Sequence, residues 1–160
     1  MLIAVVSDTH RVKRYINLAK DAIKDADILI HLGDNIDDVE LLKEGFSGEV
    51  YAVAGNCDFS AKYPKEGILE VNGRKIFYTH GDLYGVKSTI NNIYYRGCEL
   101  GADIVLFGHT HEQGIEKTDN LILMNPGSVS LPRLRGRYVG IIDIDDNGEI
   151  DTYLREVREI

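Results

Sequence analysis

Ile104-Val105-Leu106-Phe107-Gly108-His109-Thr110-His111 decides the fold, because an apolar run stops there at a glycine and then presents two histidines one residue apart. Four uninterrupted apolar residues suit a central strand covered on both faces, and Gly108 lets the backbone turn sharply beyond it. Two imidazoles at i and i+2 of a loop can reach neighbouring points, as a pair of adjacent metal ions requires. Alone, Gly-His-Thr-His also reads as a turn with two solvated histidines, since a short motif needs context. Four further stretches supply that context. Met1-Leu2-Ile3-Ala4-Val5-Val6 runs into Ser7-Asp8-Thr9-His10, and Ile28-Leu29-Ile30-His31-Leu32 into Gly33-Asp34-Asn35. Val50-Tyr51-Ala52-Val53-Ala54 runs into Gly55-Asn56-Cys57-Asp58, and Ile76-Phe77-Tyr78-Thr79 into His80-Gly81-Asp82. Each apolar run ends in Asp, Asn or His.

Between the first three runs, Val12, Ile16, Ala19 and Ile23 recur at the steps of an amphipathic helix. A short helix is expected around Asp37 to Glu44, with Gly45 and Gly48 as its break. The result is βαβαβ, which predicts a mostly parallel sheet with right-handed crossovers. Asn72-Gly73 then marks a hairpin turn, and a helix is expected from Val86 to Leu100, burying Ile90 and Ile93 and closing near Gly101. Beyond His111 come a strand pair about Thr118-Asp119-Asn120, the turn Asn125-Pro126-Gly127-Ser128, and a last hairpin from Arg137 to about Arg155. Mixed strands with few helices predict an α/β fold of two stacked sheets flanked by helices. Asp143-Ile144-Asp145-Asp146-Asn147-Gly148 matches the first half of an EF-hand loop, but the twelfth position is Leu154, which cannot supply the closing carboxylate. Asn147-Gly148 is therefore read as a hairpin turn.

At 160 residues the chain is expected to form a single domain, 1–160, large enough to bury a core without disulfides. Its 18 basic against 26 acidic residues leave a net charge of −8, which argues against tracking extended nucleic acid. A small anionic substrate stays compatible, because bound divalent ions reverse the local field. The N-terminal apolar run is too short for a signal-peptide core, and no stretch approaches the ~20 apolar residues of a membrane span. Cys57 and Cys98 give no disulfide framework. A cytoplasmic location, no membrane association and a possible homo-oligomer are the expectations.

Ligands of open α/β sheets gather beyond the carboxyl ends of the strands, so the five loop ends are expected to converge. The inventory is Asp8, His10, Asp34, Asn56, His80, His109 and His111. Nitrogen and oxygen donors without thiolate point to hard or borderline divalent ions, Mn foremost, with Ni, Co, Fe or Zn as alternatives. Seven groups exceed what one such ion takes from protein, so two ions are expected. His31, inside an apolar run, reads instead as a hydrogen-bonded core or outer-sphere histidine. Two ions about 3.5–4 Å apart clamp a phosphoryl group and lower the pKa of a shared water, which fits phosphoester hydrolysis.

The ordered set Asp8-x-His10, Gly33-Asp34, Gly55-Asn56, His80-Gly81 and Gly108-His109-x-His111 resembles the calcineurin-like metallophosphoesterase superfamily. The short chain, with Gly55-Asn56-Cys57-Asp58 and Asn125-Pro126-Gly127-Ser128, is similar to the small YfcE-type phosphodiesterases. The resemblance implies a four-layer αββα sandwich and a metal-bridging hydroxide as nucleophile acting on a small phosphodiester. It implies Asp8, His10, Asp34 and His111 on one ion, and Asp34, Asn56, His80 and His109 on the other, with Asp34 bridging. Asp34, Asn56, His80 and His109 would then form the catalytic set. Two positions depart from the pattern: Cys57 stands where many related phosphatases carry a proton-donating histidine, and Asp82 where close relatives often carry a second histidine. Cys57 as nucleophile is rejected, because no cysteine-phosphatase loop with a following arginine is present. Cys57, Asp58 and Arg133 are candidate substrate or outer-sphere residues, Asp58 as an orienter for a group at position 57, and Arg135 is a weaker phosphate-contact candidate. Competing readings are a phosphomonoesterase and a binding scaffold like the retromer subunit of this fold, whose metal site is degraded.

Overall fold

The computed structural model describes residues 1–59 and 62–158. The elements run β1 (Leu2–Val6), α1 (Lys13–Ile23), β2 (Ile28–His31), α2 (Asp38–Lys43), β3 (Glu49–Ala52), β4 (Glu66–Val71), β5 (Arg74–Thr79) and α3 (Asn91–Leu100). They continue with β6 (Ile104–Leu106), β7 (Gly114–Lys117), β8 (Ile122–Asn125), β9 (Tyr138–Ile144) and β10 (Ile150–Glu156). Two five-stranded sheets result, ordered β10-β9-β1-β2-β3 and β4-β5-β6-β8-β7. β1, β2 and β3 pair in parallel, as do β5, β6 and β8. The remaining pairs are antiparallel, so both sheets are mixed.

Strand alternation shows why the apolar runs are continuous. Ile3, Val5, Ile28, Ile30 and Ile142 face one way and meet Ile76, Tyr78, Ile104, Leu106 and Met124 of the other sheet. Their neighbours Ala4, Val6, Leu29 and Ile141 face outward, against Ile16, Ala19 and Ile23 of α1 and Leu42 of α2. On the second sheet Phe77, Val105 and Leu123 face outward against Ile93 of α3. With period-2 side chains and cover on both faces, a central strand is apolar at nearly every position, and a polar one such as His31 must be hydrogen-bonded. Three apolar interfaces between four layers make an αββα sandwich. Among the described residues no helix is long and apolar enough to cross a membrane.

The expected helix from Val86 is corrected at its start, since α3 opens only at Asn91. Gly85 lies in the left-handed region, and its carbonyl accepts the N–H groups of Ser88 and Thr89. The Thr89 hydroxyl then accepts the Asn91 N–H, the local competition by which Ser and Thr divert a backbone from helix. Val86 is buried against the α3 layer all the same, which is what carried the apolar pattern upstream. Around Asp143–Gly148 the chain turns between β9 and β10, and the Asp145 carboxylate accepts the Asn147 and Glu149 N–H groups. Those bonds belong to a hairpin turn.

Candidate metal centre

The parallel strands of both sheets release their carboxyl ends along one edge of the sandwich, and the loops that follow are stitched to one another there. Asp8 N–H donates to the Gly33 carbonyl at 3.0 Å, and Gly108 N–H to the His80 carbonyl at 2.9 Å. His109 N–H donates to Asp8 Oδ2 at 3.1 Å, which joins the two sheets. Among the described residues, the non-glycine residues with positive φ are Asp8, His10, Arg11, Asp34, Asn35, Asn72, His109 and His111. Only Asn72, in its hairpin, lies away from these loops. Backbone held in a sparsely populated region clusters where a site demands it.

Asp8, His10, Asp34 and His111 bring ligand atoms within 4.8 Å of one another, and so do Asp34, His80 and His109. Asp34 is common to both groups. His80 Nε2 lies 3.4 Å from Asp34 Oδ1, 3.1 Å from His109 Nδ1 and 3.1 Å from Asn56 Oδ1, so the Asn56 amide joins the second group. His111 Nε2 lies 3.2 Å from Asp8 Oδ1 and 3.2 Å from His10 Nε2. All seven residues singled out in the sequence therefore meet in one place.

Hydrogen bonding fixes which atoms face inward. His80 Nδ1–H donates to the Leu32 carbonyl at 2.8 Å and His111 Nδ1–H to the Leu131 carbonyl at 2.9 Å, because a carbonyl can only accept. In the neutral imidazoles Nε2 is then a bare lone pair, aimed at carboxylate, amide or imidazole acceptors. Lone pairs converging on lone pairs repel unless a cation or protons lie among them. Asp8 adds the same signature: its Oδ2 accepts from Ser7 Oγ at 2.5 Å and from His109, while its fully buried Oδ1 has no hydrogen-bond partner. A buried carboxylate oxygen left so is costly unless a cation meets it. The donor set fits divalent ions.

Charge within the centre follows from these contacts. Burial works against ionised Asp8, but the neighbouring His111 and His80 imidazoles and the Ser7 hydroxyl outweigh it and hold the carboxyl below the ordinary range. Burial likewise opposes Asp34, yet His80 and the Cys57 N–H at 3.0 Å bring it far lower. Burial opposes protonation of His80, while Asp34 and Asp8 prevail and raise its pKa; Asp8 raises that of His111. Burial and His80 lower His109. Divalent ions replace protons on such imidazoles, so uptake strengthens as pH rises. Gly55 and Gly108 permit the close packing: a Cβ on either would lie 2.2 Å from Asp34 Oδ1 or 2.0 Å from Ser7 Oγ.

His31 stays out of both groups, as its place in an apolar run suggested. Gly33 N–H donates to its Nδ1 at 3.1 Å, so Nε2 carries the proton and donates to Thr9 Oγ1 at 3.2 Å. It ties the β1 loop to the β2 loop. Complete burial depresses its pKa to about 4 despite the neighbouring carboxylates. The imidazole is neutral in the folded protein but takes a proton on unfolding below its ordinary 6.5. Its contribution to stability is thus complete above pH 6.5 and declines as pH falls toward 4, by roughly 3 kcal/mol in all. Urea titrations of the wild type and His31→Gln at pH 7 and 4.5 are expected to show a smaller pH difference in the variant. Turnover of His31→Gln is expected to stay within tenfold of wild type, and abolished turnover in a folded, metal-loaded variant would overturn the core assignment.

Asp58 lies behind the proposed ligands. Its Oδ2 accepts the N–H groups of Asp34 and Gly55 at 2.9 and 2.8 Å, and its Oδ1 that of Ile36 at 2.9 Å. Its carboxylate collars the Asp34 and Asn56 loops, an outer-sphere place behind the proposed ligands. Cys57 is exposed, with its thiol 3.7 Å from the Asn56 amide nitrogen. Arg133 is exposed and its N–H donates to the His111 carbonyl at 3.0 Å, which puts it beside the centre; Arg135 is exposed too, and its carbonyl accepts from Gln113. Sequence reasoning missed Ser128 and Ser130, whose hydroxyls donate to the Asp8 and Thr9 carbonyls at 2.6 Å each. The Asn125-Pro126-Gly127-Ser128 turn signalled a bend, but nothing local showed which loop it would meet.

Two facing mixed sheets that converge carboxylates, an amide and imidazoles on their strand ends define a metal-binding α/β protein. A family model described as the calcineurin-like phosphoesterase superfamily domain matches residues 1–147, and the chain belongs to that superfamily. The probable metallophosphoesterase YsnB of Bacillus subtilis is 42% identical over 137 residues, covering 84% of this chain and 79% of its own. The phosphodiesterase MJ0936 of Methanocaldococcus jannaschii is 29% identical over 100% of this chain and 98% of its own. The crystal structure of Entamoeba histolytica Vps29 complexed with zinc superposes with a TM-score of 0.77 over 99% of this chain and 100% of that one. At 16% identity it attests the fold alone.

Proposed function

We propose that this protein hydrolyses phosphodiesters with two divalent ions, Mn foremost, held by Asp8, His10, Asp34 and His111 and by Asp34, Asn56, His80 and His109. The observation that carries the reading is the convergence of imidazole nitrogens, among them Nε2 of His80 and His111, and the buried Asp8 Oδ1 on two groups that share Asp34. Such ions supply Lewis acidity toward a phosphoryl oxygen and an acidified water. The chain's own residues do the rest. Leu32 and Leu131 carbonyls hold His80 and His111 in the Nδ1–H tautomer, so that Nε2 is available as a donor. Ser7 and the His109 N–H fix Asp8, and the Cys57 N–H fixes Asp34. Arg133, whose backbone bonds to His111, is our candidate for contact with a phosphate oxygen. The diester preference is supported by the thiol at position 57, a poor proton donor, and by the relative named a phosphodiesterase. We place this activity in the cytoplasm.

Metal analysis after reconstitution tests the dinuclear reading. Two ions per chain at full activity is the expected plateau, and full activity at one ion per chain would sink it. Aryl phosphodiester and aryl phosphomonoester turnover, measured side by side on the same preparation, separates the diester reading from the monoester one. Two bound ions with no turnover of either would turn the reading toward a scaffold.

A further inference from the structure

A cleft of about 320 Å³ opens next to the centre, with Val86, Ile90, Phe107, Ile115, Leu123 and Leu134 as its apolar lining. Thr110 forms part of its wall and is flanked in the chain by His109 and His111, so one peptide unit separates cleft from proposed ligands on either side. Asn125, also in the wall, donates to the Thr110 hydroxyl at 2.9 Å and to the Gly108 carbonyl at 3.1 Å, which holds that loop as a partition. Leu134 is 49% exposed and Leu131 52%, on the segment whose backbone bonds to His111 from both Leu131 and Arg133. Large apolar side chains exposed around a concave, mostly apolar site are what a small organic ligand covers. The two charged residues of the described lining, Glu112 and Glu116, are both acidic. An extra phosphate or carboxylate on the ligand would be repelled there.

We infer that this cleft is the subsite for an uncharged aromatic or branched apolar substituent, so that the substrate is a phosphodiester bearing such a group and no further negative charge. The inference rests on the phosphodiester reading of the centre. It gives the ester's single negative charge to the metal side of the His109–His111 loop and its apolar arm to the other side. A cleft of this volume accommodates a ring system, and desolvating one ring is worth on the order of tenfold or more in affinity.

The test uses the full chain reconstituted with zinc, which is diamagnetic, and three non-hydrolysable probes: diphenylphosphinate and dimethylphosphinate, of equal charge, and a diphenylphosphinate whose ring carboxylate adds one negative charge. Affinity is read from methyl NMR of Ile90 and Ile115 and by calorimetry. Diphenylphosphinate is expected to bind at least about tenfold more tightly than dimethylphosphinate and to shift both methyl signals. The carboxylate probe is expected to lose that advantage. Leu134→Asp should reduce the preference for phenyl over methyl, and Glu116→Lys should restore binding of the carboxylate probe. Ile68→Asp, on exposed β4, is the control for a non-specific effect of surface charge. Equal affinity for the two neutral-arm probes, or a preference that leaves the Ile90 and Ile115 methyls unmoved, overturns the cleft assignment. Selective probe binding at those methyls with no turnover of any diester overturns instead the hydrolytic reading on which it rests.

Discussion

Asp34→Ala is expected to lower turnover of an aryl phosphodiester at least about 100-fold and to reduce metal content below two ions per chain. Outer-sphere partners of metal ligands already cost about 10–100-fold when removed, and Asp34 belongs to both ligand groups. In the proposed dinuclear centre its carboxylate would be the shared negative charge between two mutually repelling dications. The side chain is also fixed: Cys57 N–H donates to Oδ1, and Gly55 leaves no room for movement toward its own Cα. Asp34→Asn keeps the shape and loses the charge, so it should fail nearly as badly, which separates the electrostatic contribution from packing. Inductively coupled plasma analysis and kinetics on the same samples give the check. A variant that keeps two ions and more than a tenth of wild-type turnover would show that Asp34 is not a bridge.

The rate of the wild type should fall steeply as the pKa of the leaving group rises. Burial and then the Asp34 charge push the Cys57 thiol upward, so at neutral pH it is a protonated, weak acid at the rim of the centre. An acidic phenol departs without a proton, whereas an alkoxide needs one. General acid catalysis is typically worth ~10²–10⁴-fold, so Cys57→His should raise alkyl relative to aryl turnover and flatten the slope. The gain belongs at the low end of that range, on the order of 100-fold, because three backbone N–H groups already share the Asp58 carboxylate and weaken it as an orienter of the new imidazole. The Cys57 N–H bond to Asp34 is a backbone contact and survives the substitution. A series of esters of graded leaving-group pKa, run on both proteins at matched metal content, decides it. An already shallow slope in the wild type would falsify the assignment of position 57 as the missing proton donor.

The sequence by itself determined the strand runs, the parallel βαβαβ start, the sandwich class and the seven inward-facing polar residues. Those features are local: an apolar run ending at Gly-Asp or Gly-His carries its own strand end, and a strand covered on both faces is apolar at nearly every position, as in Ile104–Leu106. His31 was legible as a core residue for the same reason. What only the tertiary structure decided is which distant edges meet. β9 enters antiparallel beside β1, with Ile3 opposite Ile142, and β8 joins β6 in parallel, neither of which any neighbouring residue announces. Asp58 became a collar, and Ser128 and Ser130 became anchors for the Asp8 loop, because the folded chain left backbone donors and carbonyls there to be satisfied. The division of the seven candidate ligands into two groups likewise arises from the second sheet bringing His80 and His109 against Asp34, a contact between layers that depends on the packing of Ile76, Ile104 and Met124 against Ile3, Val5 and Ile30. Periodicity records which face of a strand is buried, but the partner across that face is chosen by packing summed over the whole core.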